Sequence, residues 1–209
     1  TGKVGVYAVV PGPGLLNSSA ALCTAWGNNA KVLCISGQIP SHAIGKGFGD
    51  LHEINDQLGM IRHITKWAER IEHPAYTPGV IDEAMRQLNT GRPRPVEIEM
   101  AMDLMGDSAE VTLPTPPESY EKPPVDADLL EEAAKILGKA KNPLIVVGSG
   151  ALDASDEVLA VAEALQAPVL SKRSGKGIIS AKHYLHANSP MGQALWAKAD
   201  AVLAVGSRI

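Results

Sequence analysis

The sequence predicts an α/β fold: parallel sheets with helices on both faces, in two incomplete three-layer domains joined by a Pro-rich linker. Three observations carry this. Short runs rich in Val and Ile alternate with helical stretches along the whole chain. Most of these runs are continuously apolar, as expected of strands covered on both faces. One acidic segment, residues 106–125, breaks the pattern with five prolines (Pro114, Pro116, Pro117, Pro123 and Pro124) and no periodicity, which marks it as a linker. Domains are therefore expected over residues 1–105 and 126–209.

Each element has its own reason. Residues 4–10 (VGVYAVV) form the first buried strand. The following PGPGLLN, with two prolines and two glycines, reads as a loop. Asn17 or Ser18 is placed to cap a helix that runs to about Trp26 and stops at Gly27-Asn28-Asn29. Residues 31–36 (KVLCIS) are the next strand, so the unit is βαβ and its two strands should be parallel. Residues 41–57 are Gly-rich and polar and read as a long loop. Residues 60–67 read as a short strand or an irregular segment. Thr77 caps a helix whose stripe is Val80, Ile81, Ala84 and Leu88, with Pro78 in its first turn. Residues 95–100 (PVEIEM) alternate and read as a strand.

In the second half Asp126 caps a helix reaching Lys139. Residues 143–147 are a buried strand, 155–165 a helix, 168–170 a short strand, 191–197 a helix and 201–205 the last strand. The acidic stretch of Glu131, Glu132 and Lys135 is a solvated helix face.

Composition narrows the function classes. The 209 residues are 45% hydrophobic and 20% charged, enough apolar content for a sizeable core. Net charge is −4 with no basic block, which argues against nucleic acid and anionic membranes as partners. No apolar run approaches the about 20 residues of a membrane span, and nothing at the start has the basic segment and apolar run of a signal peptide, so a cytoplasmic protein is expected. Cys23 and Cys34 sit in apolar stretches and are read as small buried hydrophobes. His42, His63, His73, His183 and His186 lack metal-ligand spacing, and no metal site is expected in this segment. The chain starts without Met at a strand and stops just after another, which is the pattern expected of a fragment.

Ligands of open α/β sheets bind at the carboxyl ends of strands. Four loops occupy that position, residues 11–17, 37–40, 148–150 and 206–208, and each holds glycine, which lets backbone approach a ligand. The G-x-G-x-x-G and G-x-x-x-x-G-K-[ST] fingerprints of dinucleotide and P-loop sites are both missing. Gln38, flanked by Gly37 and Ile39-Pro40 at a strand end, has little structural reason to be there, so it is the most informative polar residue. Asn17 is compatible with a cap and a pocket role together.

The arrangement PGPG-x-x-N, helix, strand-GQIP resembles the thiamine-diphosphate enzymes of the acetolactate synthase type. The resemblance continues in order along the chain. Ile44-Gly45 opens the loop after GQIP, Leu51-His52-Glu53 falls near a family F-Q-E motif and Thr65-Lys66 near a family T-K pair. Gly91-Arg92-Pro93-Arg94-Pro95-Val96 matches G-R-P-G-P-V. Asn142-Pro143 through Gly150 matches the opening of the family's central domain, Ser174-Gly175-Lys176-Gly177 its G-K-G loop, and Ala199-Asp200 through Arg208 its A-D…G-x-R strand.

The resemblance implies the end of a pyrimidine-binding domain and the start of a central domain. It implies thiamine diphosphate with Mg²⁺ in a longer parent enzyme, with the cofactor as electron sink for bond cleavage or formation beside a carbonyl. The parent would act on a 2-oxo acid or related acyl donor and assemble as a homodimer or homotetramer. The activating glutamate would lie upstream of Thr1 and the metal motif downstream of Ile209, so the fragment alone would be inactive. By residue matching, Gly14 and Asn17 would line the pyrimidine pocket and Gln38 would reach cofactor or substrate. Gly148, Gly150 and Arg208 match loops that hold FAD in the flavin-containing members. His52 stands where acetolactate synthases usually have Gln, and its near-neutral titration would suit a proton shuttle. Met102 stands where they usually have Lys. A carboligase, a decarboxylase and an acyltransferase are thus equally admissible, and a non-catalytic nucleotide-binding or interaction module on the same scaffold is the alternative outside enzymes.

Overall fold

The computed structural model describes residues 2–120 and 122–209. The chain divides into two compact units, Thr1–Pro123 and Pro124–Ile209. Each is built on its own four-stranded parallel sheet with helices around it.

In the first unit the strands are β1 (Gly5–Val9), β2 (Val32–Gln38), β3 (Trp67–Ile71) and β4 (Val96–Ala101), ordered β1-β2-β4-β3. The βαβ expectation holds, because β1 pairs with β2 in parallel, Tyr7 beside Cys34 and Val9 beside Ser36. β4 lies between β2 and β3, which puts Cys34, Glu97 and Ala68 in one row and Ser36, Glu99 and Arg70 in the next. Residues two apart share a face, so all six point to the same side. That side is covered by α1 (Pro13–Gly27) and α2 (Gln57–Arg62), with Leu15, Leu22, Cys34, Ile61 and Ala68 as its apolar core. The other side carries Leu33, Val96, Ile98 and Ile71 against Ala84 and Leu88 of α3 (Thr77–Asn89).

Several local expectations are corrected. PGPG is not wholly loop, because α1 begins at Pro13. Proline fits a first helical turn, where its missing N–H would have had no partner. Asn17 therefore lies inside the helix and caps nothing, and Ser18 Oγ donates back to the Leu15 carbonyl oxygen while accepting from the Tyr7 hydroxyl. Residues 60–67 are not a strand. Asp56 accepts from the Gly59 N–H and caps α2, which buries Ile61, and the strand starts only at Trp67. Thr77 is the first residue of α3 rather than its cap. Cys34 is buried as expected, but Cys23 faces solvent from α1.

In the second unit α4 (Ala127–Lys139) precedes β5 (Pro143–Val147), α5 (Ser155–Leu165), β6 (Val169–Ser171), β7 (His186–Ala187), α6 (Ser189–Trp196) and β8 (Ala201–Val205). The sheet order is β7-β6-β5-β8. Asp126 caps α4 through the Asp128 and Leu129 N–H groups, as the sequence predicts. One face packs Ile145, Val147 and Val169 against Val158 and Ala162 of α5, and the other packs Leu144, Val146 and Leu170 with Leu195 of α6. The two-residue β7 is too short to leave a period in sequence. Among the described residues no helix is long and apolar enough to cross a membrane.

Candidate functional site

All strands of each sheet are parallel, so each unit has one carboxyl edge, and the loops singled out from sequence lie there. In the first unit this edge gathers the turn after β1, the GQIP segment at the end of β2 and the segment after β4. The last two are tied directly to one another. The Met102 N–H donates to the Gln38 carbonyl at 3.1 Å. Asp103 accepts from the Ser41 N–H at 2.9 Å and the Ser41 hydroxyl at 2.6 Å, and these bonds hold its carboxyl below its ordinary range.

Gly12 is the hinge of the first turn. It has φ +58, and a Cβ there would collide with the His52 carbonyl. Glycine is required both by that left-handed backbone and by the close approach. Gly12 is also the N-cap of α1; it has no side chain of its own to cap the helix, and its N–H donates to Gln57 Oε1 at 2.9 Å. Gly14 sits two residues further on, where a Cβ would lie 2.6 Å from Val10 Cγ2. Asn17 is exposed on α1. His52 is half-buried with φ +74, and it meets this turn through its backbone. Gln38 is only 2% exposed. Its carbonyl oxygen accepts from the Ile39 N–H at 2.8 Å and its amide donates to Glu99 Oε2 at 3.4 Å. The second N–H of that amide has no partner among the described residues, since the group carries two hydrogens.

Beneath the edge lies a buried polar network that sequence reading missed. Glu97 and Glu99 are both fully buried. Glu99 is paired with Arg70 at 2.5 Å and accepts from Gln57 at 2.9 Å. Glu97 accepts from the Ser36 hydroxyl at 2.6 Å, and its second oxygen has no partner among the described residues. Burial, reinforced by the neighbouring Glu99 charge, pushes the Glu97 carboxyl up to about 8 despite the Ser36 bond. The acid is therefore protonated at neutral pH, which leaves one anion for one arginine. Burial also pushes the Cys34 thiol up to about 12 and raises the Tyr7 hydroxyl, so neither is a nucleophile here. Glu53 is likewise committed: it accepts from the Gly47, Gly49 and Asp50 N–H groups and folds the 47–53 loop around its carboxylate.

In the second unit the loops after β5, β6 and β8 meet backbone to backbone. The Gly148 N–H donates to Val205 at 3.0 Å and the Gly150 N–H to Gly206 at 3.1 Å. A Cβ on Gly150 would lie 2.7 Å from the Gly206 Cα, and one on Gly175 2.5 Å from the Val147 carbonyl oxygen. Arg208 is exposed beside them. Among the described residues no group of three His, Cys, Asp or Glu is placed to hold a metal ion.

The first edge thus brings together the N-terminus of α1, one amide N–H of Gln38 and a wall of backbone. The chain is an α/β protein with parallel sheets, the class whose ligands bind at the carboxyl ends of the strands. The comparisons sharpen that class. Residues 1–60 match the thiamine pyrophosphate enzyme N-terminal TPP binding domain and residues 130–209 the thiamine pyrophosphate enzyme central domain. Over its full length the chain is 33% identical to a probable 2-ketoarginine decarboxylase of Pseudomonas aeruginosa and 31% identical to an acetolactate synthase large subunit of Lactococcus lactis, covering 38% of each. It is 29% identical to a 2-hydroxyacyl-CoA lyase of Arabidopsis thaliana, again covering 38% of that protein. The chain belongs to the thiamine-pyrophosphate-dependent enzymes of the acetolactate synthase-like superfamily, and it spans a little over a third of the length of these relatives.

Proposed function

We propose that this chain forms part of a thiamine-diphosphate enzyme that breaks or makes the carbon–carbon bond beside the carbonyl of a 2-oxo acid or related acyl donor. The reading is carried by one observation: a backbone-walled edge at the N-terminus of α1, in a segment that matches the thiamine pyrophosphate enzyme domains and whose relatives include a decarboxylase, a synthase and a lyase. When bound, the cofactor supplies the electron sink for the bonding pair. The chain's own residues bind and orient. Gly14 and Asn17 line the pyrimidine pocket from α1, while Gln38 directs its free amide N–H toward cofactor or substrate. His52 stands in the adjoining loop as a candidate proton carrier. In the second unit Gly148, Gly150 and Arg208 are candidates to hold FAD.

We assign residues 1–105 to the pyrimidine-binding domain, 106–125 to a linker and 126–209 to the central domain. Mg²⁺ and the activating glutamate come from outside these 209 residues, so the segment by itself is inactive. The parent is a cytoplasmic homodimer or homotetramer. The test is CO₂ release by the full-length parent from a panel of 2-oxo acids, with and without thiamine diphosphate and Mg²⁺. Cofactor-dependent release is expected. Binding of FAD or ADP by calorimetry, with no thiamine diphosphate uptake, would replace this reading by a non-catalytic nucleotide-binding module.

A further inference from the structure

Gln57 lies where the loop after β2 runs into α2. It is the first residue of α2 and only 1% exposed. Its side chain uses both ends. The carbonyl oxygen accepts from the Gly12 N–H at 2.9 Å. The amide donates to the Gly37 carbonyl at 3.0 Å and to Glu99 Oε2 at 2.9 Å, with Ser36 Oγ further off at 3.4 Å. One buried amide thus joins the N-cap of α1, which carries Gly14 and Asn17, to the residue immediately before Gln38. Glu99 is in turn fixed by Arg70. Local packing does not require this. A leucine would fill the same space, but Gly12 and Gly37 would then lose their partner, and a buried unpaired backbone group is costly.

We propose that Gln57 is a positioning residue that sets the spacing between the two cofactor-facing segments of this edge, 12–17 and 37–38, by bridging the Gly12 N–H to the Gly37 carbonyl and the Arg70-anchored Glu99. The proposal rests on the cofactor assignment above. Gln57 touches no substrate. It determines whether the helix N-terminus and the Gln38 amide stand at the separation the ring needs. A carboxylate at this position would keep the Gly12 bond but would face two acceptors, Gly37 and Glu99, so it breaks one half of the bridge without changing its volume.

The test uses the full-length parent chain with Gln57→Leu, Gln57→Glu and Ser36→Ala. Ser36→Ala is the control, since it loosens the same buried network by removing the Glu97 bond and the long contact with Gln57 while leaving the Gln57 bonds to Gly12, Gly37 and Glu99 in place. Thiamine diphosphate affinity is measured by calorimetry, exchange of the Gly12 amide by hydrogen–deuterium exchange without cofactor, and turnover at saturating cofactor. Both Gln57 variants should weaken cofactor binding about tenfold with kcat within about threefold, and Gln57→Leu should speed Gly12 exchange. Ser36→Ala should lower the melting temperature with cofactor affinity within about twofold. Folded Gln57 variants with wild-type affinity overturn the proposal, as does a Ser36→Ala loss equal to theirs. If Gln57→Leu does not fold, the equal-volume Gln57→Glu decides. Failure of the wild-type parent to take up thiamine diphosphate would sink the cofactor reading itself. That result is distinct from wild-type uptake with unaffected variants, which removes only Gln57.

Discussion

The two sheets end in the same kind of edge but hold it by opposite means. In the first unit the edge rests on buried side chains: Gln57, Ser36, Glu97, Glu99 and Arg70 share hydrogen bonds, and the loops above them are fixed through those bonds. In the second unit the edge rests on the lack of side chains: Gly148, Gly150, Gly175 and Gly206 let three loops touch backbone to backbone. Hydrogen-bonded side chains can be retuned by charge and titrate with pH. Glycine contacts cannot titrate and tolerate no added atom. The two edges should therefore fail under different perturbations.

The largest expected effect is at Arg70. Its side chain is 22% exposed, whereas its partner Glu99 is wholly buried. Arg70→Met keeps much of the bulk but strands that carboxylate. Removing one partner of a buried pair costs about 3–5 kcal/mol, because the remaining charge has lost its compensation. Urea unfolding monitored by hydrogen exchange should show the loss in Thr1–Pro123 and leave Pro124–Ile209 unchanged. Equal losses in both units would deny that the network belongs to the first edge alone.

Second comes Gly206→Ala. Gly206 has φ +57, and a Cβ there would collide with the backbone of Gly150 and Ala151. Left-handed backbone costs a non-glycine residue about 1–2 kcal/mol and overpacking about 1–3 more. The same measurement should place the loss in the second unit, with β5 and β8 exchanging faster. A neutral outcome would mean that the loops have room to part, and that the glycines at this edge are kept for a ligand rather than for each other.

The glycine edge was far more legible in sequence than the polar one. Gly148-Ser149-Gly150 and Gly206 follow continuous apolar strands, and both strands lie where the pattern puts them, at Pro143–Val147 and Ala201–Val205. The network was hidden because PVEIEM alternates, and alternation reads as a strand with one face in water. In the fold β4 lies between β2 and β3, and the face bearing Glu97 and Glu99 is roofed by α1 and α2. Sheet order is not written in any local window. Nor is α2, whose six residues contain a glycine and are too short to show a helical period. The one available signal was Arg70: a strand reading WAERI places a cation at the same period as two acids in a later strand. Gln38 shows the reverse limit. Its oddity in a GQIP turn was visible, but the commitment of its carbonyl oxygen to Ile39 and of one amide N–H to Glu99 was not.

The effect that separates the edges most cleanly is the one that depends on pH. Glu97 has its carboxyl pushed from an ordinary 4.5 to about 8, chiefly by burial. Below 4.5 the acid is protonated in both the folded and unfolded chain and contributes no pH dependence. Between 4.5 and 8 the folded chain keeps the proton that the unfolded chain releases, so folding is coupled to proton uptake and stability falls as pH rises, by about 1.4 kcal/mol per pH unit. Above 8 both states are ionised and the penalty is constant. Glu97→Gln mimics the protonated form and still accepts from Ser36. It should therefore match the wild type near pH 4.5, gain on it steadily through neutrality and level off above pH 8. The difference between the two proteins cancels the titrating groups that do not interact with Glu97, and exchange in the second unit should show none of it. A flat difference across that range would mean that Glu97 is ionised in its buried site, and that the unpartnered oxygen is solvated or met by a cation.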